Sequence, residues 1–210
     1  MKISYGITVK DESEELFELL QILKKNIDEE DEIIIVRDGM DVPVGALLND
    51  HKESKNIKVY DKKFEGDFAE QKNFVIEKCT GDYIFHIDAD EYPHQTLLEQ
   101  IKAILEANDG IEMIWVPRVN TVDGITEEHC AKWGGRITEK GWVNYPDYQS
   151  RIFKNDPNIR WAGEVHERIV GCKTYSHLPP NEELSLYHPK SIEKQEKQNA
   201  LYESINIQKG

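Results

Sequence analysis

The feature that most restricts the fold is a regular alternation of apolar runs and amphipathic segments over the first 120 residues. The apolar runs have the length of strands and lie at residues 3–9, 32–37, 57–60, 83–87 and 111–116. The segments between them predict helices, the first of which carries leucines at helical spacing: Leu16, Leu19, Leu20 and Leu23. Strands that alternate with helices are typical of a mostly parallel α/β sheet flanked by helices.

Several element boundaries can also be predicted. Asp11 followed by Glu14 resembles a capping arrangement at the start of the first helix. Residues 43–52 and 68–78 predict two further helices, and another follows Pro93. The run Ile33-Ile34-Ile35-Val36 suits a strand that is buried on both faces.

The pattern changes after residue 120. Residues 120–171 are rich in Gly, Trp, Tyr and Pro and predict loops and hairpins over one end of the sheet, and residues 191–208 predict a polar C-terminal helix. A length of 210 residues suits one domain with its own core. We therefore expect a single domain over 1–210, with a ligand-binding half at 1–118, an irregular part at 119–190 and a helix at 191–210.

The charge balance restricts the partners. Forty acidic and 26 basic residues give a formal net charge of −14, which argues against nucleic-acid binding. An anionic nucleotide would need a local cation here, and a metal ion could supply it. Three cysteines without a Cys-x-x-Cys pair favour a reducing compartment. No run approaches the roughly 20 apolar residues of a membrane span, so we expect a cytoplasmic protein and leave peripheral membrane contact open.

Acidic residues follow four of the predicted strands. They stand in Lys10-Asp11-Glu12, Arg37-Asp38-Gly39, Asp61-Lys62-Lys63 and Asp88-Ala89-Asp90. Ligands of open α/β sheets bind outside the carboxyl ends of the strands. One such acid would suit a turn equally well, but four converging ends predict a polar ligand site.

Asp88-Ala89-Asp90 is the most specific of these segments. In an extended chain, residues i and i+2 point to the same side, so both carboxylates could reach one Mg²⁺ or Mn²⁺ whose remaining ligands are diphosphate oxygens. The alternative is a turn with solvated acids. His166 and His188 are candidate third ligands through neutral imidazole nitrogen.

These segments resemble family 2 glycosyltransferases of the GT-A fold, close to the small bacterial enzymes of lipopolysaccharide-core type. The resemblance rests on residues 67–73, DFAEQKN, and on residues 81–91, GDYIFHIDADE. It continues through Gly141-Trp142, residues 145–153 and Val165-His166-Glu167. The resemblance implies a GT-A-like (Rossmann-like) fold whose irregular C-terminal region shapes the acceptor site.

The resemblance also implies roles for single residues on the donor side. Those that would hold the nucleotide or line the donor pocket are Thr8, Asp11, Asp38, Lys72, Asn73 and Asp88. Asp90 would bind the metal directly, and His188 stands where such enzymes commonly place a histidine. The family often has an acid where this chain has Arg37, which leaves recognition of the base open.

Inverting transfer needs a general base for the acceptor hydroxyl. Glu167 matches the Val-His-Glu pattern, Glu164 lies three residues earlier, and Asp147 is a third candidate. A structural ion pair with Arg168 or Arg151 is the alternative role for such a glutamate. Trp142 and Tyr148 are candidate acceptor contacts or core residues, and Arg151 is a further acceptor candidate.

The sequence thus predicts a metal-dependent glycosyltransferase that uses Mn²⁺ or Mg²⁺. A UDP-hexose is the expected donor, and a glycan or lipid-linked glycan the expected acceptor. A metal-dependent nucleotidyltransferase is one alternative, but it would carry a glycine-rich phosphate loop after the first strand, and residues 9–13 contain no glycine. A non-catalytic sugar- or nucleotide-binding module is the other, and it would have lost the acid pair or the base candidates.

Overall fold

The computed structural model of the chain describes residues 1–51, 53–164, 167–197 and 199–200. The strands are β1 (Ile3–Val9), β2 (Glu32–Arg37), β3 (Ile57–Asp61), β4 (Tyr83–Asp88), β5 (Tyr92–Pro93), β6 (Met113–Asp123), β7 (Val143–Lys154), β8 (Arg160–Ala162), β9 (Arg168–Val170), β10 (Tyr175–His177) and β11 (Leu186–Ser191). The helices are α1 (Ser13–Asn26), α2 (Val42–Asn49), α3 (Phe68–Lys78), α4 (Gln95–Ala107) and α5 (Glu127–Trp133). A short 3₁₀ turn spans Glu182–Leu184.

The main sheet has the strand order β3-β2-β1-β4-β7-β6-β11-β5, and β10 pairs with β6 beside this path. The first four strands in this order are parallel to one another. Their carboxyl ends therefore lie at one edge, as the alternating pattern predicts. β8 and β9 form a separate antiparallel hairpin.

Two apolar layers cover the faces of this sheet. The larger layer packs α1, α2 and α4 against one face, with the four leucines Leu16, Leu19, Leu20 and Leu23 fully buried. The smaller layer packs α3 against the other face and includes Trp161 of β8. Burial of apolar side chains on both faces explains why the four central residues of β2 are isoleucine and valine.

β7 is the main departure from the expected architecture. Residues 120–171 predicted loops and hairpins, but the 12-residue β7 lies within the main sheet, antiparallel to β4 and to β6. Most of its first eight residues are half-buried, because this part of the strand borders a cavity and not the core. A strand in that position does not need alternating apolar residues, so its sequence did not predict a strand.

Other boundaries agree closely with the predictions. β1, β2 and α3 begin and end at the predicted residues. The expected cap of α1 is wrong, since Glu12 occupies the N-cap position and makes no side-chain cap bond. Residues 192–197 and 199–200 are helical, and the rest of the expected C-terminal helix lies outside the described residues. The division into one domain with two halves stays a prediction.

No helix in the described ranges is long and apolar enough to cross a membrane.

Candidate active site

A cavity of about 980 Å³ opens at the carboxyl ends of β1, β2 and β4. Thr8, Asp38, Asp88 and Asp90 line it, so three of the four acidic strand ends converge as expected. The fourth does not reach it, because Asp61 at the end of β3 forms an ion pair with Arg37 of β2 at 2.7 Å. The residues after the first, second and fourth strands therefore form one polar edge.

Asp88 lies between cations from two other elements. Its Oδ2 accepts a hydrogen bond from a guanidinium nitrogen of Arg151 at 2.5 Å, and its Oδ1 lies 3.4 Å from the ammonium of Lys72. Burial alone would raise the pKa of the Asp88 carboxyl, but Arg151 and Lys72 outweigh burial and hold that pKa well below its usual range. Beneath it lies the fully buried His86, with Nε2 3.6 Å from Asp88 Oδ1. Both oxygens of Asp88 are thus engaged by the protein itself.

Glu91 connects this strand end to the second half of the chain. It is fully buried, and its Oε1 accepts from Arg151 at 2.5 Å and from Arg118 at 2.8 Å. Arg118 also donates to Asp147 Oδ2 at 2.6 Å. The two guanidinium partners offset the free-energy cost of burying the Glu91 carboxylate, whereas loss of either partner would leave a buried charge without full compensation. This network fixes β4, β6 and β7 relative to one another.

Asp90 and His188 form a second pair at the cavity. His188 Nε2 lies 3.3 Å from Asp90 Oδ2, and His188 Nδ1 lies 2.8 Å from Oδ1 of Asn120. The amide nitrogen of Asn120 donates to Asp147 at 2.9 Å, which assigns Oδ1 as the atom that faces His188. Nδ1 then carries a proton in both the charged and the neutral ring, and Nε2 faces a carboxylate oxygen. In the neutral ring Nε2 presents a lone pair to that oxygen, and in the charged ring it donates a hydrogen bond to it.

Two facing lone pairs are stable only when a proton or a cation lies between them. Burial opposes ionisation of Asp90, but the hydrogen bond and charge of His188 outweigh it, so the pKa of Asp90 lies below its ordinary value. An oriented imidazole beside a carboxylate is a donor set that suits Mn²⁺ or Mg²⁺. Within the described ranges, no three His, Cys, Asp or Glu side chains form a metal-binding group, so a metal here would need further ligands from a bound molecule or water.

The predicted donor residues fall into two groups. Thr8, Asp38 and Lys72 line the cavity with Asp88, and Asp38 is oriented because its Oδ1 accepts from the backbone N–H of Phe64 at 2.8 Å. Asp11 is exposed and is not among the described lining residues. Asn73 is likewise outside the lining: its carboxamide donates to the carbonyl of Trp161 and accepts from the N–H of Trp161, both at 2.9 Å. Asn73 therefore attaches α3 to β8.

The structure separates the base candidates. Glu167 lines the cavity, and its Oε1 lies 2.6 Å from Lys72 Nζ, the same ammonium that contacts Asp88. Glu164 is exposed and not among the described lining residues, and its carbonyl accepts from the N–H of Phe68. Asp147 is occupied by Arg118, Asn120 and Gln149. His166 lies outside the described residues, so its role as a metal ligand stays a prediction.

The predicted acceptor residues are also dispersed. Arg151 lines the cavity but is almost wholly buried, at 3% exposed, in its ion pairs with Asp88 and Glu91. Tyr148 donates its hydroxyl to the carbonyl of Leu178 and stacks on His177, and Trp142 packs edge-on against Tyr145. Neither Trp142 nor Tyr148 is among the described residues that line the cavity. Their contact with an acceptor stays a prediction.

Several site residues were not identified from the sequence. Arg118, Asn120 and Lys190 line the cavity, and Glu91 organises the two arginines behind it. A usable signal existed in strand spacing: Arg118 and Asn120 stand two apart on β6, as do His188 and Lys190 on β11. The spacing alone does not show that β6 and β11 lie next to each other, because the order of the strands depends on the position of β7 between β4 and β6.

Comparison with known proteins places the chain in a family. The model of glycosyl transferase family 2 matches residues 4–177. Glycosyltransferase SunS of Bacillus phage SPbeta is 25% identical over 191 residues, which cover 89% of this chain and 39% of SunS. A TPR repeat-containing protein of Synechococcus elongatus is 28% identical over 168 residues, or 80% of this chain and 35% of that protein. The chain thus spans less than half the length of these relatives.

Solved structures show the same fold. The crystal structure of S. aureus TarS 1–349 in complex with UDP-GlcNAc has a TM-score of 0.66 at 16% identity, and the similarity covers 90% of this chain and 59% of that one. The complex of TarS 1–349 with UDP has a TM-score of 0.65 at 15% identity and covers 90% and 60%. The predicted GT-A-like α/β fold is confirmed. With a family model that matches most of its length, the chain belongs to glycosyl transferase family 2.

Proposed function

We propose that this domain transfers a sugar from a nucleoside diphosphate, UDP in the first instance, to a hydroxyl group of a glycan or lipid-linked glycan. The observation that carries the proposal is the position of Lys72, whose ammonium lies 3.4 Å from Asp88 and 2.6 Å from Glu167. This lysine joins the strand end expected to hold the donor to the carboxylate expected to activate the acceptor. Both carboxylates line the same cavity.

The donor side follows from the polar edge of the sheet. Asp38, held by the N–H of Phe64, is positioned to accept hydrogen bonds from ribose or base, and Thr8 offers a hydroxyl beside it. UDP is the nucleotide named in two TarS complexes of the same fold, which supports testing it first. The transferred sugar is a hexose in our proposal, and its identity is tested by comparing the hydrolysis of different UDP-sugars.

Asp90 and His188 are the residues that would hold a divalent metal, with Asn120 keeping the imidazole in the required tautomer. Asp88, whose oxygens face Arg151 and Lys72, would contribute through its charge and not by direct ligation. A bound Mn²⁺ or Mg²⁺ would stabilise the negative charge that develops on the departing diphosphate. Enzymes of this family commonly use divalent metals, which is consistent with this donor set.

Glu167 is the proposed general base. Its carboxylate would take the proton of the acceptor hydroxyl while that oxygen forms a bond to the anomeric carbon and the bond from this carbon to the diphosphate oxygen breaks. Attack from the face opposite the diphosphate inverts the anomeric centre. Glu164 is the second candidate, but its exposed position outside the described cavity lining makes Glu167 the better one. We place the reaction in the cytoplasm.

The first test is calorimetric titration of UDP with and without Mn²⁺, on the wild type and on Asp90→Ala. Asp109→Ala is the matched control, because Asp109 is an exposed acid that lines a different cavity near the amino-terminal end of β4. We expect Mn²⁺-dependent binding that Asp90→Ala weakens by at least about tenfold and that Asp109→Ala leaves unchanged. Hydrolysis of UDP-glucose, UDP-galactose and UDP-GlcNAc would then identify the sugar.

The outcomes separate the parts of the proposal. Tight UDP binding that ignores both Mn²⁺ and Asp90 would contradict the metal site. Absence of UDP binding under both conditions would contradict the choice of UDP, and titration of GDP, CMP and dTDP would follow.

A further inference from the structure

A second wall of the cavity differs from the polar edge in its chemistry. It is formed by the connection between β6 and β7 and by the residues that flank it. The described residues of this wall that line the cavity carry no formal charge: Val122, Ile125, Cys130, Trp133, Val143 and Asn144. The charged residues in the described lining come instead from the ends of β1, β2 and β4, from α3, from the β8–β9 hairpin and from β11, together with Arg118 of β6 and Arg151 of β7. The cavity therefore has one charged wall and one uncharged wall.

Trp133 gives the uncharged wall an aromatic surface. It ends α5, whose start is fixed by a full capping box between Thr126 and His129. The ring of His129 stacks on the ring of Trp133, with centroids 5.3 Å apart and planes at 22°. Trp133 is half-buried, and none of the hydrogen bonds among the described residues involves its indole N–H. A rigid ring with an available donor thus borders the cavity.

Asn144 is held in an unusual backbone conformation at the same wall. Its φ of 56° makes it the single non-glycine residue with a left-handed φ in the described ranges. Its Oδ1 accepts from the N–H of Arg136 at 3.0 Å, and its own N–H donates to the carbonyl of Arg136. These bonds orient the side chain, and none of the hydrogen bonds in the described part of the chain uses its amide nitrogen. Strained residues that surrounding contacts hold in place are concentrated at ligand sites.

Gln149 supplies a matching acceptor on β7. Its amide nitrogen donates to Asp147 Oδ1 at 2.8 Å, which leaves its Oε1 as the outward atom at the cavity. The uncharged wall and Gln149 together present an aromatic face, two N–H donors and one carbonyl acceptor, none of which carries a charge. A sugar ring has one apolar C–H face and hydroxyls that both donate and accept, so it satisfies each of these groups. A charged group at the uncharged wall would lose water, and none of the described side chains of that wall carries an opposite charge.

We propose that Trp133, Asn144 and Gln149 form an acceptor subsite for one uncharged sugar ring, stacked on the indole and hydrogen-bonded by the two side-chain amides. This inference rests on the proposed function and specifies its acceptor. It assigns ring stacking to Trp133, which lines the cavity, in place of Trp142 and Tyr148, which are not among the described lining residues.

The test uses the wild type with the UDP-sugar that it hydrolyses best and a panel of nitrophenyl glycosides. Neutral hexosides and N-acetylhexosaminides are compared with glucuronides, hexose phosphates and a serine-, threonine- and cysteine-containing peptide. Trp133→Ala, Trp133→Phe and Asn144→Gly are measured with Trp142→Ala. Glycine at position 144 keeps the left-handed φ while it removes the carboxamide, and exposed Tyr175→Ala is the surface-aromatic control.

We expect transfer to neutral glycosides, with an acceptor kcat/KM that falls about tenfold in Trp133→Ala and recovers in part in Trp133→Phe. Asn144→Gly should raise the acceptor KM, and the Kd for UDP should change less than about twofold, which shows an intact fold. Preferred transfer to a charged sugar or the peptide would overturn the subsite. So would a larger loss in Trp142→Ala than in Trp133→Ala, or no transfer to any neutral glycoside while the donor is hydrolysed. Failure of the wild type to bind or hydrolyse any nucleotide sugar would instead count against the proposed function.

Discussion

Two carboxylates, the buried Glu32 and the half-buried Asp88, lie at opposite ends of the parallel strands and have different surroundings. Glu32, at the amino-terminal edge, accepts from Ser4, from the N–H and hydroxyl of Thr80, and from Lys58. Asp88, at the carboxyl-terminal edge, pairs with Arg151 and Lys72 beside a cavity of about 980 Å³. Donors surround Glu32 on every side, whereas Asp88 has cationic partners and space in front of it. An acid with several charged or hydrogen-bonded partners therefore marks a binding site only where a ligand has room to enter.

The largest effect should come from the carboxyl-terminal edge of the parallel strands, called the open edge here because Asp88 borders the cavity there. Glu167→Gln removes the proposed base and keeps the size of the side chain, so we expect kcat for transfer to fall about 10²- to 10⁴-fold. The protein should stay folded in water but unfold at a lower urea concentration, because Lys72 keeps only Asp88 as an ion-pair partner. Steady-state assays with a UDP-sugar donor measure the fall. Glu164→Gln is the matched variant three residues away, and a greater loss there would transfer the role of base to Glu164.

The amino-terminal edge around Glu32, called the closed edge here, should show the reverse pattern: a loss of stability without a loss of function. Glu32→Ala leaves the donors of Thr80 and Ser4 without an acceptor, so we expect a loss of about 2–3 kcal/mol in the free energy of unfolding and no change in UDP affinity. Urea unfolding and calorimetry provide the two measurements, with exposed Glu29→Ala as control. A marked loss of UDP affinity in folded Glu32→Ala would break the distinction between the edges.

Acid should also act on the closed edge. Burial opposes ionisation of Glu32, but its hydrogen bonds to Lys58, Ser4 and Thr80 dominate and lower its pKa from 4.5 to about 2. As the pH falls, the Glu32 carboxylate therefore binds a proton in the unfolded chain before it does so in the folded chain. The stabilisation from ionised Glu32 is complete above pH 4.5 and is lost as the pH falls towards about 2. Urea unfolding at pH 3 and pH 6 should show a smaller pH dependence in Glu32→Gln than in the wild type. An equal dependence in both would contradict this assignment.

The smallest effect concerns orientation at the open edge. Asn120→Ala removes the partner of His188 Nδ1, so we expect the Mn²⁺-dependent part of UDP affinity to weaken about tenfold, with metal-free affinity unchanged. Calorimetry with and without Mn²⁺ separates the two parts. Exposed Asn158→Ala serves as control. Equal losses with and without Mn²⁺ would assign Asn120 to the nucleotide and not to the metal site.

The sequence predicted the first half of the molecule because periodicity and burial coincide there. β1, β2 and α3 match their predicted bounds, and Asp38, Asp88 and Asp90 meet at the edge where parallel strands end. β7 was not predicted, because a strand that borders a polar cavity contains few alternating apolar residues. The partners of Asp88 and Glu91 were missed for the same reason: Arg118 and Arg151 come close only when β7 lies between β4 and β6.

The order of β7 and β6 has a consequence for how acceptor preference can change. Three of the six residues that define the uncharged wall, Ile125, Cys130 and Trp133, lie in the connection between these two neighbouring antiparallel strands. β7 itself carries Arg151 to the donor edge and Gln149 to the acceptor subsite. Residues 124–142 can therefore lengthen, shorten or be exchanged without altering strand order or the ion pairs behind Asp88. Grafting this segment between relatives offers a way to change which acceptor is recognised while the donor chemistry stays constant.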